Sequence, residues 1–174
     1  MRRLTFGGAN SLDNYLARAD HAVDWLLWGD EAAGIMADFW KTIDTVLMGR
    51  KTYEVAMRSG QGDGYPGVKC YVFSRTLPEN PAAGVTLVRD DAAEFVRRLK
   101  GQEGKDICLM GGGELARSLL EAGLIDEIGF NIHPVLLGAG IPLFHPMNRQ
   151  IDLELLECRP FKNGCVYVIY RVKH

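Results

Sequence analysis

A chain of 174 residues with 47% hydrophobic and 24% charged side chains can bury a core of ordinary size without a disulfide or metal staple. Its 20 basic and 22 acidic side chains leave a formal charge of −2, which gives neither a nucleic-acid backbone nor an anionic membrane an electrostatic footprint to bind. No apolar run approaches the roughly 18 residues of a spanning helix, and Met1-Arg2-Arg3-Leu4-Thr5-Phe6 runs into Gly7-Gly8 instead of an apolar signal core, so one cytoplasmic domain over 1–174 is expected.

Residues 3–9 read as a first strand, and 10–17 as a polar loop leading back into an extended segment. From Asp30 or its neighbourhood, Ala32, Ile35, Met36, Phe39 and Trp40 recur at helical spacing, which predicts an amphipathic helix packed on a sheet. The apolar run 45–48, then Gly49 and residues 50–57, has the pattern of a strand, a glycine turn and a new helix. Residues 61–67, Gln61-Gly62-Asp63-Gly64-Tyr65-Pro66-Gly67, can only be loop. Strands follow at 68–73, ending in Ser74-Arg75-Thr76, and at 85–88, after which Asp90 or Asp91 caps a helix running to Leu99. The buried-type strand 107–110 meets Gly111-Gly112-Gly113 before a helix over 114–122 closed by Gly123. Strands at 127–135, 152–158 and 165–172 complete an α/β pattern: a mixed, mostly parallel sheet with antiparallel strands at its C-terminal edge.

Both strand-to-helix junctions with glycine at the turn, Gly49-Arg50-Lys51-Thr52 and Gly111-Gly112-Gly113-Glu114, are candidate anion seats. A helix N-terminus presents unpaired N–H groups and the positive end of its dipole, and glycine lets a phosphate approach the backbone. Either alone also reads as a tight turn; two on one parallel sheet point to a dinucleotide at its carboxyl edge. Gly111, Gly113 and Ala116 satisfy G-x-G-x-x-A, but a Rossmann fingerprint belongs to the first βαβ unit with a ribose-binding acid about 20 positions later, whereas here the match comes late and the nearest acids, Asp126 and Glu127, open the following strand, which disfavours a standard Rossmann domain. Neither turn has P-loop spacing. Ser74-Arg75-Thr76, a cation between two hydroxyls, suits the 2′-phosphate of NADPH better than the free hydroxyl of NADH, although Arg75 also reads as a solvated loop residue. Cys70, Cys108, Cys158 and Cys165 contain no CxxC pair, and His21, His133, His145 and His174 have no ligand spacing, so no metal is expected.

Five segments together resemble the dihydrofolate reductase-like superfamily: residues 11–17, 46–54, 72–75, 110–115, and Pro134-Val135-Leu136-Leu137-Gly138-Ala139-Gly140-Ile141-Pro142-Leu143-Phe144. The resemblance is closest to the reductase domain of the bacterial riboflavin-biosynthesis deaminase/reductase. It implies a three-layer α/β/α fold and a pyrophosphate between the two helix N-termini, at Gly49, Arg50, Lys51, Thr52 and Gly111, Gly112, Gly113, Glu114, with the Gly-Gly turn often cis. It also implies an adenosine phosphate near Arg50, Ser74, Arg75 and Thr76, and a nicotinamide held by backbone at Ala9, Leu16 and Ala17. The folate-binding carboxylate of the family is missing from the helix face of Ala32, Ile35, Met36, Phe39 and Trp40, which leaves the catalytic acid unnamed. Asp13 is a candidate at the substrate, though an Asp in a turn commonly serves its own backbone, and Trp28 and Trp40 are candidates to line a slot for a flat heterocycle.

These readings converge on an NADPH-dependent reductase of a small heterocyclic, carbonyl or imine compound. The alternatives are the 5-amino-6-(5-phosphoribosylamino)uracil reductase of riboflavin biosynthesis and a nucleotide-binding protein without catalysis. The apolar C-terminal strands, with Val166, Val168 and Tyr170, predict a homodimer.

Overall fold

The computed structural model describes residues 1–60, 62–78 and 81–174, so Gln61 of the predicted loop lies outside the described residues. The elements in chain order are β1 (Leu4–Ser11), β2 (Tyr15–Ala17), α1 (Asp30–Thr42), β3 (Ile43–Gly49), α2 (Arg50–Arg58), β4 (Lys69–Phe73), β5 (Val85–Val88) and α3 (Ala92–Lys100). They continue with β6 (Asp106–Gly111), α4 (Gly113–Glu121), β7 (Glu127–His133), β8 (Ile141–Pro142), β9 (Leu153–Pro160) and β10 (Val166–Val172). Eight strands form one sheet in the order β5-β4-β3-β6-β1-β7-β10-β9, and β2 pairs separately with β8. Every pair from β5 to β7 is parallel, while β10 runs antiparallel to both β7 and β9. This is the expected α/β architecture.

The two sheet faces are covered unequally. On one, Leu4, Phe6, Leu47, Ile107, Leu109, Ile128 and Phe130 are buried under Val96 and Leu99 of α3 and Ala116, Leu119 and Leu120 of α4. On the other, Val46, Met48, Cys70, Val72 and Cys108 pack with Tyr53 of α2 and with half-buried Phe39 and Trp40. The expected packing of α1 on the sheet is made at its C-terminal end by Phe39 and Trp40; none of its residues is buried, and Met36 is 45% exposed. Its C-terminus runs straight into the buried Ile43, and near its N-terminus the Lys162 N–H donates to Glu31 at 2.9 Å, so α1 bridges the sheet from two tied ends. The residues beneath include Gly7, Ala9 and Gly129, too small to meet it.

Most boundaries shift by one or two residues, and two of the shifts have a plain cause. β1 runs to Ser11 because β7 remains in register with it there, Ser11 facing His133. β7 stops at His133, since Pro134 has no N–H to continue a ladder. Of the three C-terminal strands expected to form the apolar edge, β9 is the one at the edge, with Leu155 at 54% exposure, whereas β7 and β10, which carries Val166, Val168 and Tyr170, are interior. No helix among the described residues is long and apolar enough to cross a membrane.

Candidate active site

The two glycine junctions meet. Met48 of β3 is in register with Gly111 of β6, so α2 and α4 begin side by side at the carboxyl edge of the sheet. A β-carbon on Gly49 would stand 3.2 Å from the Gly112 nitrogen, a tight contact that shows how closely the two turns approach. Gly111 has a φ of 127°, a backbone region that side chains disfavour, and its bond to Gly112 is cis, the peptide form that the resemblance implied. Gly49 and Gly112 hold the two N-cap positions and supply no side-chain acceptor, so the first-turn donors of both helices are left for a ligand. By contrast, α3 is closed by Asp91, whose carboxylate accepts from the Glu94 N–H at 3.0 Å.

These junctions open on a cleft of about 1670 Å³, larger than the roughly 300–1,000 Å³ typical of one drug-sized ligand. Arg50, Lys51, Thr52, Gly112, Gly113 and Glu114 line it; the buried Gly111 lies behind them. Arg50 donates to Glu54 at 3.2 Å on the exposed side of α2. A β-carbon on Gly113 would meet the His145 ring at 2.7 Å, so this imidazole packs on the first turn of α4.

At the mouth over β4 and β5, the Ser74 hydroxyl accepts from the N–H groups of Thr76 at 3.2 Å and Leu77 at 3.1 Å, closing a turn that presents Ser74, Arg75 and Thr76 to the cleft. Arg89, which the sequence did not single out, braces this turn by donating to the carbonyls of Arg75 at 3.0 Å and Leu77 at 2.8 Å.

The remaining half lies over β1, β7 and β10. Thr5, Gly7 and Ala9 stand in register with Glu127, Gly129 and Asn131, and the last two with Ile169 and Tyr167. A β-carbon on Gly7 would lie 3.0 Å from the Gly129 carbonyl oxygen, so the centre of this floor is bare backbone. Facing it are Ile35, Met36, Phe39 and Trp40 of α1, with Val23, Leu26, Leu27 and Trp28 forming a lip. His133 is buried with Nδ1 3.0 Å from the Asn131 carbonyl; since a carbonyl only accepts, Nδ1 carries the proton and Nε2 is bare in the neutral ring. Burial, and after it the nearby Glu157, raise the Tyr167 phenol above its ordinary range. Burial pushes the Cys108 thiol up to about 12, so it stays protonated and unreactive.

Ala9, Leu16 and Ala17 line the cleft, as do Trp28 and Trp40; Trp40 leans on Tyr65 with ring centroids 4.7 Å apart. Asp13 is corrected: it does not line the cleft. It accepts from the Ser11 hydroxyl at 2.6 Å and from the N–H groups of Leu137 at 3.1 Å and Gly138 at 2.8 Å, and these bonds, the Ser11 one foremost, hold its carboxyl below the ordinary range. Asp30, Glu31 and Asp38 of α1 also lie outside the cleft, as the helical pattern indicated. Arg89, Asn131, His133, His145 and Tyr167 were missed, because only strand order brings them to one cavity. Among the described residues, no three His, Cys, Asp or Glu side chains converge as a metal site.

The RibD C-terminal domain family model matches residues 2–167. The uncharacterized protein YwjB of Bacillus subtilis (strain 168) is 36% identical over 157 residues, 88% of each chain. A protein of Shewanella sp. PV-4 named for riboflavin biosynthesis superposes with a TM-score of 0.85 at 24% identity over 100% of both chains. The dihydrofolate reductase of Enterococcus faecalis, solved with NADP(H) and RAB-propyl, superposes with a TM-score of 0.71 at 18% identity over 99% of this chain and 97% of its own.

Proposed function

The chain belongs to the RibD C-terminal domain family, and from that premise we propose that it is a cytoplasmic, homodimeric NADPH-dependent reductase of a small heterocyclic or related compound. The observation that carries the reading is the meeting of two helix N-termini, both without a side-chain cap, across the seam between Gly49 and Gly112. An anion there finds backbone donors and two dipole ends at once. The pyrophosphate would be held by residues 49–52 and 111–114, the 2′-phosphate by Arg50, Ser74, Arg75 and Thr76, and the nicotinamide by Ala9, Leu16 and Ala17. When bound, the nicotinamide supplies hydride; the chain orients both ligands and excludes water. Charge-assisted hydrogen bonds to the 2′-phosphate give NADPH an advantage of about 1–3 kcal/mol over NADH. Calorimetry with both nucleotides tests the reading, and equal affinities would overturn the assignment of Arg50 and Arg75. Self-pairing through the exposed β9 edge would cover Leu153 and Leu155, and light scattering at the mass of one chain would refute it.

Family membership favours a second reading, the 5-amino-6-(5-phosphoribosylamino)uracil reductase. It requires a grip on a ribose phosphate besides that on the cofactor, so ribose 5-phosphate binding to the NADPH-saturated protein decides between the two. Dihydrofolate should be reduced slowly or not at all, because α1 turns no carboxylate into the cleft and a positioned acid typically contributes ~100-fold to 10,000-fold. Turnover near 10 per second, about the median for enzymes, would overturn that expectation.

A further inference from the structure

We propose that the hydride acceptor is an uncharged, planar compound of more than one ring, apolar except for one edge carrying the C=O or C=N group that takes the hydride, held between the bare floor of β1 and β7 and the apolar face of α1. The word acceptor rests on the reductase reading; the binding site itself stands on the side chains. Leu27, Trp28 and Met36 line the cleft while 41%, 78% and 45% exposed, an arrangement that leaves large apolar surface wet until an apolar ligand covers it. The apolar wall extends from Ala32 to Trp40, about 12 Å along the helix at 1.5 Å per residue, longer than one ring covers. Opposite it, Gly7 and Gly129 lie in register and give a flat seat with no side chain.

The charges of the cleft are elsewhere or already paired. Arg50 and Lys51 stand at the start of α2, Arg75 at the turn after β4, Arg89, Asp90 and Asp91 between β5 and α3, and Glu114, Arg117 and Glu121 on α4, while Glu127 at the far end of β7 is paired with Arg3 at 3.1 Å. Apart from the imidazoles of His21 and His133, the described residues of this half offer no free charge to a phosphate or carboxylate. Polar contact is limited to groups such as the Asn131 amide and the Tyr167 hydroxyl, enough to orient one edge of a ring.

The test titrates 1-aminoanthracene, a neutral fused-ring fluorophore, into the full chain with and without saturating NADPH. The expected result is saturable binding that persists with NADPH and is not displaced by ribose 5-phosphate. Trp28→Ala and Met36→Glu should each weaken it by about 10-fold, from lost apolar contact in one and a buried charge in the other. Both positions are exposed, so thermal unfolding should be unchanged. Absent binding, displacement by NADPH or ribose 5-phosphate, or wild-type affinity in both variants would overturn the proposal. So would a change of oligomeric mass in Trp28→Ala with unaltered probe affinity, which would assign the lip to a second copy of the chain. If calorimetry detects no NADPH binding, the cofactor reading fails, and the probe result on the protein alone still judges this site.

Discussion

Replacing Gly49 by alanine separates the integrity of the fold from that of the anion seat. Gly49 has φ −78° and ψ 162°, which alanine adopts without strain, and removing a glycine stabilises by about 0.4–1 kcal/mol through the unfolded chain. Against this, the new methyl would sit 3.2 Å from the Gly112 nitrogen and 3.7 Å from the Gly111 carbonyl oxygen, tight contacts that small backbone shifts relieve. The two effects nearly cancel, so the unfolding temperature should move by no more than about 4 °C. The methyl would take up space in the seam where the pyrophosphate is proposed to sit, and a phosphate oxygen displaced by it loses a backbone donor. Losing one charge-assisted hydrogen bond of about 1.5–3 kcal/mol should weaken NADPH by roughly 10- to 100-fold in calorimetry. Unchanged affinity in a normally folded Gly49→Ala protein would refute the placement of an anion between α2 and α4.

Lys100, 5% exposed, donates to the Leu124 carbonyl at 2.8 Å and the Asp126 carboxylate at 2.5 Å, so Lys100→Met should cost about 2–4 kcal/mol in urea unfolding; a loss under about 1 kcal/mol would show that the pair is dispensable. Asp13 is held below its ordinary value of 3.8, so its contribution is full above that value and fades as the pH falls through the lower folded value; Asp13→Asn should flatten the acid loss of stability below about pH 4, and a wild-type slope would refute the loop clamp. At about pH 8 iodoacetamide should modify the exposed Cys158 and spare Cys108 in the folded protein, while in urea all four cysteines react; early labelling of Cys108 would contradict its burial. Leu119→Ala, at a fully buried position of α4, should destabilise by about 2–5 kcal/mol, and a smaller loss would mean that the core collapses around the gap.

The α/β class and most element positions could be read from the chain alone, because those follow from local pattern. The 3.6-residue apolar repeat marks α1, the apolar runs mark β3 and β6, and glycine at 49 and 111–113 marks the strand-to-helix turns, Gly111 with a φ of 127° that side chains disfavour. The two glycine junctions were legible for the same reason: backbone donors at a helix start are written in the turn that creates them. The floor of the cleft was not. Gly7, Gly129, Asn131 and Tyr167 lie on three strands far apart in sequence, and only the pairing of β1 with β7 and of β7 with β10 makes them one floor. Tertiary structure also decided what the apolar face of α1 does. Its pattern is that of a helix resting on a sheet, yet the strands beneath carry glycine and alanine, so the same side chains wall a cavity. Likewise Asp13 could have met a substrate or its own loop, and the choice fell to the loop because the chain after β7 returns to present the N–H groups of Leu137 and Gly138. Periodicity reports which face of an element is apolar; what stands opposite that face is settled by contacts between residues distant in the chain, and those carry no local signal.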